Sequence, residues 1–151
     1  MTYDELLIEA DTKGLIVKEK PLKANKGRIK GNKIAIKQNI PTIEKSCVLA
    51  EELGHYYTNA GNVINLSDIR NRKQETQARL WAFNKKIGLI GIIKAYEARC
   101  TNKAEMAEYL GVTEEILQDA LNCYGSKYGI SAIIDNYIIY FEPLYVMKSI
   151  K

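Results

Sequence analysis

The stretch "LAEELGHYYT", Leu49 to Thr58, decides how the rest of the chain is read. Residues four apart on a helix share one face, about a turn from each other. Glu51 and His55, the latter the chain's 1 histidine, stand at that spacing, with Glu52 beside the first of them. Gly54 falls inside the same helix, where glycine costs about 1 kcal/mol against alanine. Something should need the space it leaves, such as a substrate passing close by, and tight packing against another backbone explains it equally well.

Outward from this stretch the elements fall into order. Pro41 closes a strand and Thr42 is a good N-cap, so a helix is expected from about Ile43 to near Gly61. Ile43, Cys47, Ala50 and Tyr57 follow its period and are its expected core positions. Upstream, "RIKGNKIAIKQ" reads as a β-hairpin: Ile34 and Ile36 alternate with lysines, and Gly31-Asn32 supplies the turn. Before it, "TYDELLIEADTKG" places Leu6, Leu7 and Ala10 at helical spacing and ends in Gly14, an expected C-cap. Downstream, a third helix is expected after Ser67 or Asp68, covering "IRNRKQETQARLWAFNKKIG" with Ala78, Trp81 and Ala82 on one side. Three short helices follow, with Gly111 in a tight turn, and then a strand in "NYIIYFEPLYV". The pattern predicts one α+β domain, mostly helical, with a small sheet.

The totals narrow the class. A chain of 151 residues has the length of one ordinary domain and can bury a real core. Its 46% hydrophobic and 26% charged residues are those of a soluble globular protein. No stretch approaches the ~20 apolar residues of a membrane span, and the acidic "MTYDELLIEA" lacks the basic start of a signal peptide. The 3 cysteines (Cys47, Cys100 and Cys123) are odd in number and lack C-x-x-C spacing. That argues against a disulfide framework or a cysteine zinc site and points to the cytoplasm. A net charge of +4 does not by itself imply nucleic acid.

The chemistry available to Glu51, Glu52 and His55 has several readings. In the zinc motif H-E-x-x-H, two histidines hold the ion and the intervening glutamate is the general base. Here Glu51 stands where the first histidine would be, and Glu52 occupies the base position. Zinc accepts carboxylate oxygen, so Glu51 is admissible as a ligand, at a cost in selectivity and affinity. A single histidine ending a helix, with glutamates on a solvated face, is the bland alternative, and this stretch alone leaves both open. A di-iron E-x-x-H plan needs two such motifs and fails on the histidine count. Core packing is the expected role of Tyr56 and Tyr57, although a tyrosine beside a metal can also donate to an oxyanion. Ser46 has no histidine partner at helical spacing and receives no nucleophilic role.

A run of features in order resembles the ImmA/IrrE-type metallopeptidases of bacteria, their prophages and mobile elements. It comprises the strand "KIAIKQNI", the helix "EKSCVLAEELGHYYTNAGN" and the second helix "KQETQARLWAFNKKI". In that family the first helix carries H-E-x-x-H and the second a glutamate ligand, followed by an alanine-rich, aromatic stretch. The resemblance therefore implies Glu51, His55 and Glu75 as metal ligands, Glu52 as general base, and zinc or another divalent metal as cofactor. It implies a zincin-like core over residues 1–95 and a helical pair with a C-terminal strand, packed on it, over 96–151, together one domain spanning 1–151. The implied partner is a protein substrate, a helix-turn-helix repressor of phage type. Glu51 is the departure from the family pattern, and "AEELGH" looks like a subfamily form. Two carboxylate ligands would leave a bound water less acidified than a histidine pair would.

Two segments suggest rivals. "NKAEMAEYLGVTEEILQDAL" fits a helix-turn-helix, with Ala107 as the small residue, Gly111 at the turn, and Met106, Leu110, Val112 and Leu117 as core. Its second helix presents Glu114, Glu115 and Asp119 and no cation, which argues against direct DNA binding through it. "KEKPLKANKGRIKGNK" concentrates lysines that read as solvated hairpin edges or as a docking site for an acidic partner. No aromatic residue is interleaved there to stack single-stranded bases. The expected function is a metal-dependent endopeptidase cleaving a repressor; the runner-up is a pseudo-protease that binds the repressor without cutting it.

Overall fold

The hairpin expected at Gly31-Asn32 forms in the computed structural model, which describes residues 1–58 and 69–149, the side chains of 69–71 apart. Its strands β2 (Gly27–Lys30) and β3 (Lys33–Lys37) pair antiparallel with Lys30 opposite Lys33. A strand not foreseen, β1 (Ile16–Lys20), lies parallel to β3 on its other side, giving the order β1-β3-β2. Helix α1 (Tyr3–Thr12) precedes it and begins in a capping box between Thr2 and Glu5. Gly14 takes a positive φ of 75° just beyond its C-cap, Lys13.

Helix α2 (Thr42–Thr58) contacts β2, β3 and α1, and helix α3 (Ile69–Lys86) follows. Two expectations for α2 are corrected. Thr42 is its first helical residue, and the Lys45 amide donates to the Pro41 carbonyl. The buried face is Ser46, Cys47, Leu49, Ala50, Glu52, Leu53 and Gly54, whereas Ile43 and Tyr57 are 48% and 36% exposed. Burial is centred on the middle turns, and the two end residues overhang them. The expected stop near Gly61 and the expected start at Ser67 or Asp68 lie outside the described residues. Leu6, Ala10, Leu15, Ile34, Ile36, Leu49, Ala50, Leu53 and Ala82 form one core, with Trp81 partly buried against it.

Contacts divide the chain into Met1–Lys85 and Lys86–Lys151. The division falls before α4 (Gly88–Glu97), not at 95/96, because α4 packs on α5 (Lys103–Leu110) and on the second sheet. The expected turn at Gly111 is a left-handed cap with φ 68° between α5 and α6 (Glu114–Tyr128). Instead of one sheet there are two. In the second, β4 (Ser131–Ile134), β5 (Tyr137–Phe141) and β6 (Leu144–Lys148) form an antiparallel meander. Tyr137, Ile139 and Phe141 alternate inward from β5, and α6 contributes Leu117, Ala120, Leu121 and Tyr124 to the buried set. The fold is α+β and mostly helical.

Candidate metal centre

Glu51 and His55 lie on α2 one turn apart, and a third ligand must come from another element. Gly54 is what lets that element approach. A Cβ there would run into the carbonyl oxygen of Ala78, whose carbonyl carbon would lie only 3.0 Å away. The two helix backbones therefore touch at Gly54 and Ala78, and the space left by glycine is taken by a backbone. Glu75, three residues before Ala78, is thereby set beside His55, with Oε2 3.2 Å from Nε2. One ligand atom each from Glu51, His55 and Glu75 falls within 4.8 Å of the other two. All three residues are half-buried.

Burial and like charge both act on the carboxyls of the trio. Burial raises the Glu51 carboxyl above its ordinary value, and the Glu75 carboxylate beside it raises it further; Arg79 and His55 oppose them. A hydrogen bond to Glu75 adds to the rise at Glu51. Glu52 is only 8% exposed, and its carboxyl is pushed up to about 8, first by burial and then by Glu51 and Glu75. Gly27 on β2 makes room for it: a Cβ there would meet Val48 Cγ1 and sit 3.4 Å from Glu52 Cγ.

This donor set fits a divalent ion. Two carboxylates and an imidazole are hard-to-borderline ligands suited to zinc or a similar dication. A charge of two would offset the burial and the neighbouring Glu75 charge that raise the Glu51 carboxyl.

Residues 10–122 match the family model of the IrrE N-terminal-like domain, peptidase M78. The chain belongs to this family. Its fold is accordingly the zincin-like one of peptidase M78, and the matched span contains α2 and α3. Metal-dependent proteolysis is the activity of a peptidase M78 protein, with a protein as the class of substrate and a divalent metal as cofactor. No curated protein and no solved structure gives a significant match.

Other residues singled out by sequence take structural places. Tyr57 stacks on Trp81 at 4.9 Å, and the Glu9 carboxylate is among the groups that raise its phenol. Tyr56 packs against the core. Ser46 donates to the Ile43 carbonyl at 2.6 Å. The cysteines form no disulfide among the described residues, Cys47 being buried and the others half-buried. Sequence reasoning missed Arg79, one turn beyond Glu75, whose charge favours ionised Glu51 and whose guanidinium lies 5.6 Å from the Phe83 ring centroid. The signal was available: Glu75 and Arg79 have the i, i+4 spacing of an ion pair. Among the described residues no helix is long and apolar enough to cross a membrane.

Proposed function

We propose that the protein is a metal-dependent endopeptidase whose ligands are Glu51, His55 and Glu75, with Glu52 as general base and a phage-type repressor as substrate. The observation that carries this reading is the convergence of three ligand atoms from two helices within 4.8 Å. Zinc or another divalent ion, when bound, would acidify a water and polarise the carbonyl of the scissile peptide. Glu52 would accept a proton from water on a carboxylate oxygen and pass it to the departing amide nitrogen. Burial is the first cause of its raised carboxyl, and neutralising Glu51 and Glu75 would remove the smaller part that their charges add. Gly54 and Gly27 hold this machinery by close approach and are positioning residues.

The raised Glu51 carboxyl supports a second reading. Glu51 kept protonated by burial and by its neighbour Glu75 would satisfy the trio without an ion, and such a protein would antagonise the repressor by binding alone. One experiment separates the readings. Metal stoichiometry is measured on chelator-stripped protein and on His55→Ala, and repressor cleavage is compared with Glu52→Gln. Near one zinc per chain, lost in His55→Ala, with cleavage abolished but binding kept in Glu52→Gln, is the expected result. Repressor binding with neither metal uptake nor cleavage would replace the peptidase reading with the second.

A further inference from the structure

We propose that the outer face of the first sheet binds the phosphate backbone of duplex nucleic acid without reading its sequence. Strand register defines this face. Ile16, Lys18 and Lys20 of β1 share it with Lys33, Ala35 and Lys37 of β3 and with Arg28 and Lys30 of β2. Thus 6 of these 8 side chains are cationic and none is acidic. Glu19, the single acid in the three strands, points the other way, where it takes Lys45 at 2.8 Å and the Tyr3 hydroxyl at 2.9 Å. None of the six cations makes an ion pair with a carboxylate among the described residues. All are exposed except Lys37, which is half-buried.

The chemistry favours phosphate over other anionic partners. Side chains on one face repeat about 7 Å along a strand and about 5 Å across strands. That is dense enough to meet several charges of a duplex carrying one per roughly 1.7 Å of its axis. Protein interfaces are depleted in lysine and centred on aromatic or apolar anchors, whereas this face offers five lysines, one arginine, Ile16 and Ala35. Anchors that would enter a lipid surface are equally lacking. With no aromatic residue on the face, it holds no stacking platform for unpaired bases, and without an amide it has no reader of adenine. The face is built by the first sheet and uses no residue of the helix-turn-helix lookalike, and the inference stands apart from the peptidase reading. Affinity for duplex would hold the chain near partners that are themselves bound to DNA.

The test uses the full metal-free chain and a labelled mixed-sequence duplex of about 30 base pairs, followed by anisotropy from about 50 to about 200 mM salt. Neutralising four phosphates weakens binding roughly a hundredfold over that range. A triple variant, Lys18→Gln with Arg28→Gln and Lys33→Gln, is expected to flatten the salt slope by about one per charge removed. A control triple, Lys73→Gln with Lys94→Gln and Lys127→Gln, removes the same charge elsewhere and should bind as wild type does. Circular dichroism confirms folding, and Lys18→Gln with Lys30→Gln replaces the first triple should it misfold. Equal loss in both triples would reduce the effect to net charge and overturn the proposal. So would no duplex binding at the lowest salt, or face-dependent binding to phosphatidylserine vesicles or polyglutamate in place of duplex.

Discussion

The pair α2–α3 and the pair α5–α6 are built by opposite rules. In the second pair every local preference agrees with the fold. Asn102 caps the Glu105 amide at 2.8 Å, Thr113 caps the Ile116 amide at 3.1 Å, and Gly111 supplies the left-handed turn. The buried residues of α5 and α6 are Met106, Ala107, Leu117, Ala120, Leu121 and Tyr124, none of them charged. In the first pair α2 buries a carboxylic acid, carries a glycine in its interior and sets two further carboxyls against one another. Each of these costs stability, and all three gather at the candidate metal centre. Such local inconsistency is what a functional site is expected to show, and local consistency what a scaffold shows.

The comparison is sharpened first in the scaffold. Leu117 is fully buried, so Leu117→Ala should cost about 2–5 kcal/mol, read by urea unfolding. A loss under about 1 kcal/mol would mean that α6 is not the close-packed element described.

The next effect lies in the site and reverses the usual sign of mutation. In metal-free protein the Glu52 carboxyl is raised to about 8, above its unfolded value of about 4.3. A raised acid favours the fold while protonated, so this stability is full below about 4.3 and is lost as pH rises through about 8. Glu52→Gln removes that dependence. With chelator present it should be more stable than wild type by about 2–4 kcal/mol at pH 9 and nearly equal at pH 4. Parallel stability–pH curves for the two proteins would show that Glu52 is not the buried, uncompensated acid described.

Gly54→Ala comes third. The added methyl meets the Ala78 carbonyl, so it should cost about 1–3 kcal/mol despite alanine's better helix propensity. It should also weaken zinc binding, because the displaced α3 carries Glu75. A stabilised variant with unchanged zinc affinity would contradict the helix contact on which the ligand geometry rests.

How much was legible in the sequence follows the same division. Gly111 and the apolar spacing of Met106, Leu110, Val112 and Leu117 act within a few residues, and the helical pair could be read from them. The hairpin of β2 and β3 was equally local. Strand β1 was not, because its pairing with β3 is parallel and non-local, and "IVKEK" shows little apolar alternation. Strand β4 was missed because "SAII" is short and its outer residue Ile133 is 73% exposed. Glu51, Glu52 and His55 were legible as a spacing, and Gly54 as a position needing room. Which residue of α3 would face them was not, since that depends on where the helices touch. Glu75 came from family resemblance, and the contact at Ala78 sets it beside His55. The burial of Glu52 ran against the polarity on which periodicity is judged, which is why Ile43 and Tyr57 were over-weighted as core.

The smallest effect tests whether the scaffold's consistency is real or only apparent. Thr113 accepts the Ile116 amide, one of the orphan donors at the start of α6. Thr113→Ala leaves that amide without its side-chain acceptor and should cost about 1 kcal/mol. Thr113→Asp should recover most of the loss, because aspartate caps as well and its charge favours the helix N-terminus. The recovery should persist at neutral pH and fade as the new carboxylate is protonated near pH 4. If Ala and Asp behaved alike, α6 would be held by packing alone. Its agreement with local rules would then carry no energetic weight, and the contrast with α2 would reduce to the buried charge at Glu51, Glu52 and Glu75.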